Sequence, residues 1–115
     1  MAFSEFEEKK IQQAAAEFLG AVRPPAHMRS QVDVDVRIAG QSVHIVELRP
    51  DIREPSRIIE LPVAKATYVK KHQRWKIYWM RSDLKWHLYT PRPEARSVEE
   101  MFAVVNSDEN DCFFG

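Results

Sequence analysis

The sequence predicts an α+β domain in which an N-terminal helix and a C-terminal helix lie on one face of an antiparallel sheet of about five strands. Three observations carry this. Each end of the chain holds a capping box followed by apolar residues at three- and four-residue spacing. The middle alternates apolar and polar residues. The 115 residues suit one domain, 1–115, large enough for a core without disulfides or metal.

The first helix opens at Ser4, with Glu7 three residues on, and Phe6, Ile11, Ala14, Ala15, Phe18, Leu19 and Val22 line one face. Gly20 weakens its last turn and "RPP" at 23–25 stops it, because proline cannot continue the hydrogen-bond ladder. In "VDVDVRIAGQSVHIVELR", Val32, Val34, Val36 and Ile38 alternate with Asp33, Asp35 and Arg37, which gives a strand with one apolar face. A two-residue turn at Ala39-Gly40 folds it into a hairpin, with Val36 opposite Val43, Val34 opposite Ile45, and Asp35 opposite His44. Residues 50–62 hold three prolines and no clean period, and read as a loop with a helical turn at 56–60. "VAKATYVK" reads as a single strand on its β-branched and aromatic content.

A second hairpin pairs strand 74–80 with strand 85–89 around the four-residue loop "RSDL". This register places Trp79 opposite Trp86 and Ile77 opposite Leu88. Trp75, Trp79, Trp86, Ile77 and Leu88 then lie under the helices, and Arg74, Lys76, Tyr78, Lys85, His87 and Tyr89 form the wet face. The second helix opens at Ser97 with Glu100, and Val98, Met101, Phe102 and Val105 share a face. The final Phe113-Phe114 are expected to dock into the core or a neighbouring subunit, because a free terminus rarely keeps two exposed phenylalanines.

The run "PVAKATYVKKHQRWKIYWMRSDLKWHLYTP", with "MAFSE" at the start and "CFFG" at the end, resembles a family of short bacterial proteins catalogued as domain of unknown function 3024. The resemblance spans essentially the whole chain. It implies a bacterial, cytosolic protein, and it implies no activity and no catalytic residue.

Net charge is zero, but the average conceals a division. Residues 64–92 carry eight Lys or Arg against one Asp, net +7, and hold every Trp and Tyr. Residues 93–115 carry one Arg against six acids, net −5. Nucleic acid needs cations for its phosphates and flat rings for its bases, so Arg74, Lys76, Tyr78, Lys85, His87 and Tyr89 are the candidate nucleic-acid-binding residues. Lys65, Lys70, Lys71 and Arg92 widen the basic zone. The leading reading is therefore a non-enzymatic module that binds nucleic acid. A second is a structural or interaction domain, possibly a homodimer, in which the acidic end of the chain meets the basic hairpin. A third is a metal-dependent hydrolase using Asp35, His44 and Glu47, for which the sequence places no complete ligand set.

No catalytic residue, metal site or cofactor motif is assigned. The three glycines do not stand at nucleotide-loop spacing. The lone cysteine, Cys112, follows a run of acids that opposes thiolate formation, and it builds no disulfide framework. No secretory leader is apparent and no apolar run nears the roughly 18 residues of a membrane span, so the expectation is a cytoplasmic protein without a membrane partner.

Overall fold

A computed structural model describes residues 3–114. Helix α1 spans Glu5–Val22, and a short 3-10 turn at Ala26–Met28 leads into the sheet. Its strands are β1 (Asp33–Ala39), β2 (Ser42–Pro50), β3 (Ile58–Val69), β4 (Arg74–Met80), β5 (Trp86–Leu88) and β6 (Glu94–Ala95), and helix α2 (Val98–Ser107) follows. The strands pair antiparallel in chain order from β1 to β5, and β6 also pairs with β4. No helix among the described residues is long and apolar enough to cross a membrane.

Both helices start as their capping boxes require. Ser4 Oγ accepts the Glu7 N–H at 3.1 Å and the Glu7 carboxylate accepts the Ser4 N–H at 2.8 Å. Those bonds hold the Glu7 carboxyl below its usual range. Ser97 Oγ likewise accepts the Glu100 N–H at 3.1 Å. One core joins the layers: Ile11, Ala14, Ala15 and Phe18 of α1 and Val98, Met101, Phe102 and Val105 of α2 pack on Val34, Val43, Ile45, Ala64, Ala66, Trp75 and Ile77. Phe18 stacks on Phe102 between the helices, ring centroids 4.9 Å apart. Both helices therefore cover one sheet face and leave the other without a helix. Arg23 ties the end of α1 to β1 through two bonds to the Asp33 carboxylate, at 2.8 and 2.7 Å.

Several local expectations need correction. The first turn is Gly40-Gln41, with Gly40 at φ +59, so Val36 faces Ile45 and Ile38 faces Val43. The pairing slides by two residues, and an even slide keeps each side chain on its expected face. Asp35 consequently faces Val46, and His44 faces Arg37. The stretch 58–62 is strand, not loop or helical turn. The β2–β3 register shifts between Ile45 and Val46, where Ala64 and Pro62 are the facing residues and Val63 is extra. This bulge reverses the parity of β3 and lets both Val63 and Ala64 be buried.

The largest difference is in the second hairpin. Tyr78 faces Leu88, Trp79 faces His87, and Met80 faces Trp86. The loop between Arg81 and Lys85 has three residues, closed by Arg81 N–H to Lys85 O at 3.3 Å and Leu84 N–H to Arg81 O at 2.8 Å. Leu84 takes the left-handed conformation that such loops require, φ +61. A three-residue loop in place of four turns every side chain of β5 over.

Candidate nucleic-acid interface

The reversal of β5 divides the expected wet face. Lys76 and Tyr78 stand on the helix-free face, opposite Thr67 and Lys65 of β3. Arg74 has the same parity, but its guanidinium donates to the His72 and Gln73 carbonyls at 3.4 and 3.1 Å and holds the β3–β4 loop. Lys85 is exposed at the end of the β4–β5 loop. Tyr89 is turned into the core and is 2% exposed, contrary to the expectation that it stands in water. His87 is turned to the face of Trp79, and its Nε2 lies 2.8 Å from the Asp83 carboxylate. That bond and the Lys85 N–H hold Asp83 below the usual carboxylate range.

Trp86 and Leu88, expected in the core, occupy the vacated positions on the helix-free face. Leu88 is 40% exposed there. A row crosses the sheet on this face: Arg37, His44, Lys65, Tyr78 and Leu88 are successive cross-strand neighbours. The Lys65 Nζ sits 4.8 Å from the Tyr78 ring centroid and 5.3 Å from that of Trp86. The Trp86 and His44 rings meet edge to face at 6.1 Å. Strands about 4.8 Å apart place the β2 and β5 backbones about 14 Å from each other in a flat sheet. The Trp86 side chain therefore leans back across β4 and β3 toward the middle of the sheet. Val46, on this same face, is 8% exposed and lies outside the core under the helices. A second, smaller aromatic and apolar cluster thus exists on the open face, with a cation at its centre.

On this face Arg37 is paired, to Asp35 and to Glu60, whereas the basic hairpin has few carboxylate contacts. Of the eight cations between residues 64 and 92, only Arg92 reaches a carboxylate among the described residues, Glu100 at 3.4 Å. The Arg81 guanidinium lies over Trp79, 5.5 Å from a ring centroid. The acidic end of the chain meets the hairpin through an apolar contact instead of a charge match. Phe113 is 8% exposed and packs on Tyr89 with ring centroids 4.8 Å apart, and Asn110 Nδ2 donates to the Tyr89 hydroxyl at 3.0 Å. Burial, then Asp108 and Asp111, push the Cys112 thiol up, as the preceding acids led one to expect.

The hydrolase arrangement is not assembled. The Asp35 carboxylate pairs with Arg37, Glu47 bonds Arg49 at 3.2 Å, and no three His, Cys, Asp or Glu converge among the described residues. Burial, and then the neighbouring Lys65, lower the pKa of His44, which favours its neutral form. A cleft of about 200 Å3 at the starts of the two helices is lined by Tyr68 and by an edge of the buried Trp75, with Lys10 and Arg96 balanced by Glu7 and Glu99.

From the sequence alone, Lys65 belongs only to the basic surroundings, and His44 only to the Asp35 pair and the hydrolase set with Glu47. The signal that could have found the cluster is the register row itself, which needs the bulge at Val63 and the length of the β4–β5 loop. A family model described as Domain of unknown function (DUF3024) matches residues 3–115. No curated protein and no solved structure matches the chain.

Proposed function

We propose that this chain, which belongs to the domain of unknown function family DUF3024, is a non-enzymatic cytoplasmic module of a bacterial cell that binds single-stranded nucleic acid on its helix-free sheet face. The observation that carries the reading is the Tyr78–Lys65–Trp86 cluster, with Lys65, Lys76 and Lys85 making no carboxylate contact among the described residues. Two rings on an open sheet supply stacking platforms, and unpaired lysines supply phosphate contacts. A single strand suits them better than a duplex, because only unpaired bases can leave their own stack to lie on a protein ring. The acidic helix layer on the opposite side repels phosphate and restricts binding to one face. Within this reading Lys76 and Lys85 keep the phosphate-contact role and Tyr78 keeps the stacking role. Arg74 and His87 act on the hairpin loops, and Trp86 takes the place of Tyr89.

Fluorescence anisotropy of short labelled single-stranded RNA and DNA at two salt concentrations tests this. Replacing Trp86 or Tyr78 by alanine should cost about 1–3 kcal/mol of binding, and Lys76→Glu should flatten the salt dependence. Binding that ignores salt, or that is unchanged in Trp86→Ala, refutes the reading.

A second reading is association of two copies through their oppositely charged sides. It is favoured by how little the two segments neutralise each other within one chain: among the described residues a single ion pair, Arg92–Glu100 at 3.4 Å, joins residues 93–115 to residues 64–92. A dimer by light scattering that dissociates on Glu109→Lys and Asp111→Lys supports it, and a monomer at all concentrations removes it.

A further inference from the structure

Lys65 stands where a base has to go. Its ammonium occupies the space beside both rings of the cluster, 4.8 Å from Tyr78 and 5.3 Å from Trp86, and among the described residues no carboxylate lies within ion-pair distance of it. Its backbone is fixed in mid-sheet between His44 and Tyr78, so the ammonium can leave the rings only by rotation of its own four-carbon stem. The rings hold it by their quadrupoles alone, and such an attraction is weak at a site open to water. A phosphate offers the same ammonium a full negative charge.

Resting on the single-strand reading above, we propose that Lys65 is an exchangeable occupant of the stacking site. In the free protein its ammonium covers the Tyr78 and Trp86 rings. On binding it turns to a backbone phosphate, and a nucleobase takes the ring surface that it leaves. Lys65 is then the residue that couples stacking to phosphate contact. It also sets a threshold, because a planar ligand without a phosphate has to displace the cation with nothing to receive it. The site therefore selects phosphate-bearing strands over free bases or nucleosides.

The test compares the wild-type chain with Lys65→Met, which keeps the stem and removes the charge, and with Lys65→Arg. Each is titrated with a labelled oligothymidylate from low salt to about 1 M, where charges beyond roughly 3 Å are screened. Loss of one phosphate contact lowers the slope of log affinity against log salt by about 0.7 in Lys65→Met. In high salt the same variant binds about threefold more tightly than wild type, because no cation has to be displaced. Lys65→Arg keeps the slope and binds more weakly in high salt, because a guanidinium stacks more firmly on the rings. Thymidine, which has no phosphate, quenches Trp emission only in Lys65→Met.

An unchanged slope in Lys65→Met, with the wild type binding normally, overturns the exchange and leaves the stacking reading standing. An equal loss of affinity at every salt concentration also overturns it and makes Lys65 a packing residue. Absence of binding by the wild type refutes the stacking reading and the exchange together. Matching thermal melts for the three proteins show that the comparison is between folded chains.

Discussion

The phenol of Tyr89 rests on Phe113, ring centroids 4.8 Å apart, and its hydroxyl accepts a hydrogen bond from Asn110 at 3.0 Å. This pair anchors the acidic end of the chain under the sheet and makes Tyr89 a core residue, not a surface one. Tyr89→Ala is expected to cost about 3–5 kcal/mol in urea unfolding, the range for removing a buried aromatic. Tyr89→Phe should cost about 1 kcal/mol, the value of one hydrogen bond whose other partner can turn to water.

Leu84 sits at φ +61 with its side chain 80% exposed. A branched side chain in the left-handed region costs roughly 1–2 kcal/mol, and here almost no burial offsets it. Leu84→Gly should raise stability by about 0.5–1 kcal/mol once the extra freedom of glycine in the unfolded chain is subtracted. The melting temperature should rise by a few degrees. A fall would mean that Leu84 is covered by something beyond this chain.

The same residue explains what was and was not legible in the sequence. The helices were legible because Ser4–Glu7 and Ser97–Glu100 mark their starts and proline marks the end of the first. The faces of β1 and β2 were legible because a two-residue error in register changes no face. β5 was not legible, because its facing depends on a left-handed residue and leucine gives no hint of one. The start of β3 was hidden by Pro62 and by the bulge at Val63, which breaks the alternation. The two-residue β6 is too short for any period. At the site, Lys76 and Tyr78 followed from the alternation of β4 alone. Trp86 falls on the core side when the loop is taken as four residues, which sets it opposite Trp79, and its partners Lys65 and His44 lie on strands joined to it only by registers that the sequence does not fix.

Asp108 closes α2 in the left-handed conformation, φ +43, and its two carboxylate oxygens accept the N–H groups of Phe113 and Phe114 at 3.0 and 2.8 Å. It is the clamp that turns the chain back so that Phe113 can reach Tyr89. Asp108→Ala loses both acceptors at a backbone angle alanine tolerates poorly, and should cost about 2–3 kcal/mol. Asp108→Asn keeps one acceptor and the tolerance for that angle, and should cost about 1 kcal/mol. Thermal melts rank the two. Equal losses would mean that neither the acceptor kept by asparagine nor the backbone angle matters much.

His44 makes stability depend on pH in a definite direction. Burial first, and then Lys65, depress its pKa in the folded protein below the ordinary value of 6.5. The unfolded chain therefore takes up this proton at a higher pH than the folded one. Between the two values the unfolded state holds more protons, so stability rises with pH there. The contribution is complete above about pH 7 and is lost as pH falls through 6.5 toward the folded value. Arg37, which faces His44 on β1, has its pKa raised by its bond to Asp35, so it shifts the level and not the slope. Asp83 and Asp33, both depressed, lose their stabilisation only in the more acid range of carboxylates. Urea midpoints at pH 8, 7, 6 and 5 should fall on acidification, and His44→Gln should flatten the fall between pH 7 and the onset of carboxylate titration. A wild-type midpoint that holds or rises from pH 7 to pH 5 would show that the His44 imidazole is better solvated than its place beside Trp86 and Lys65 implies.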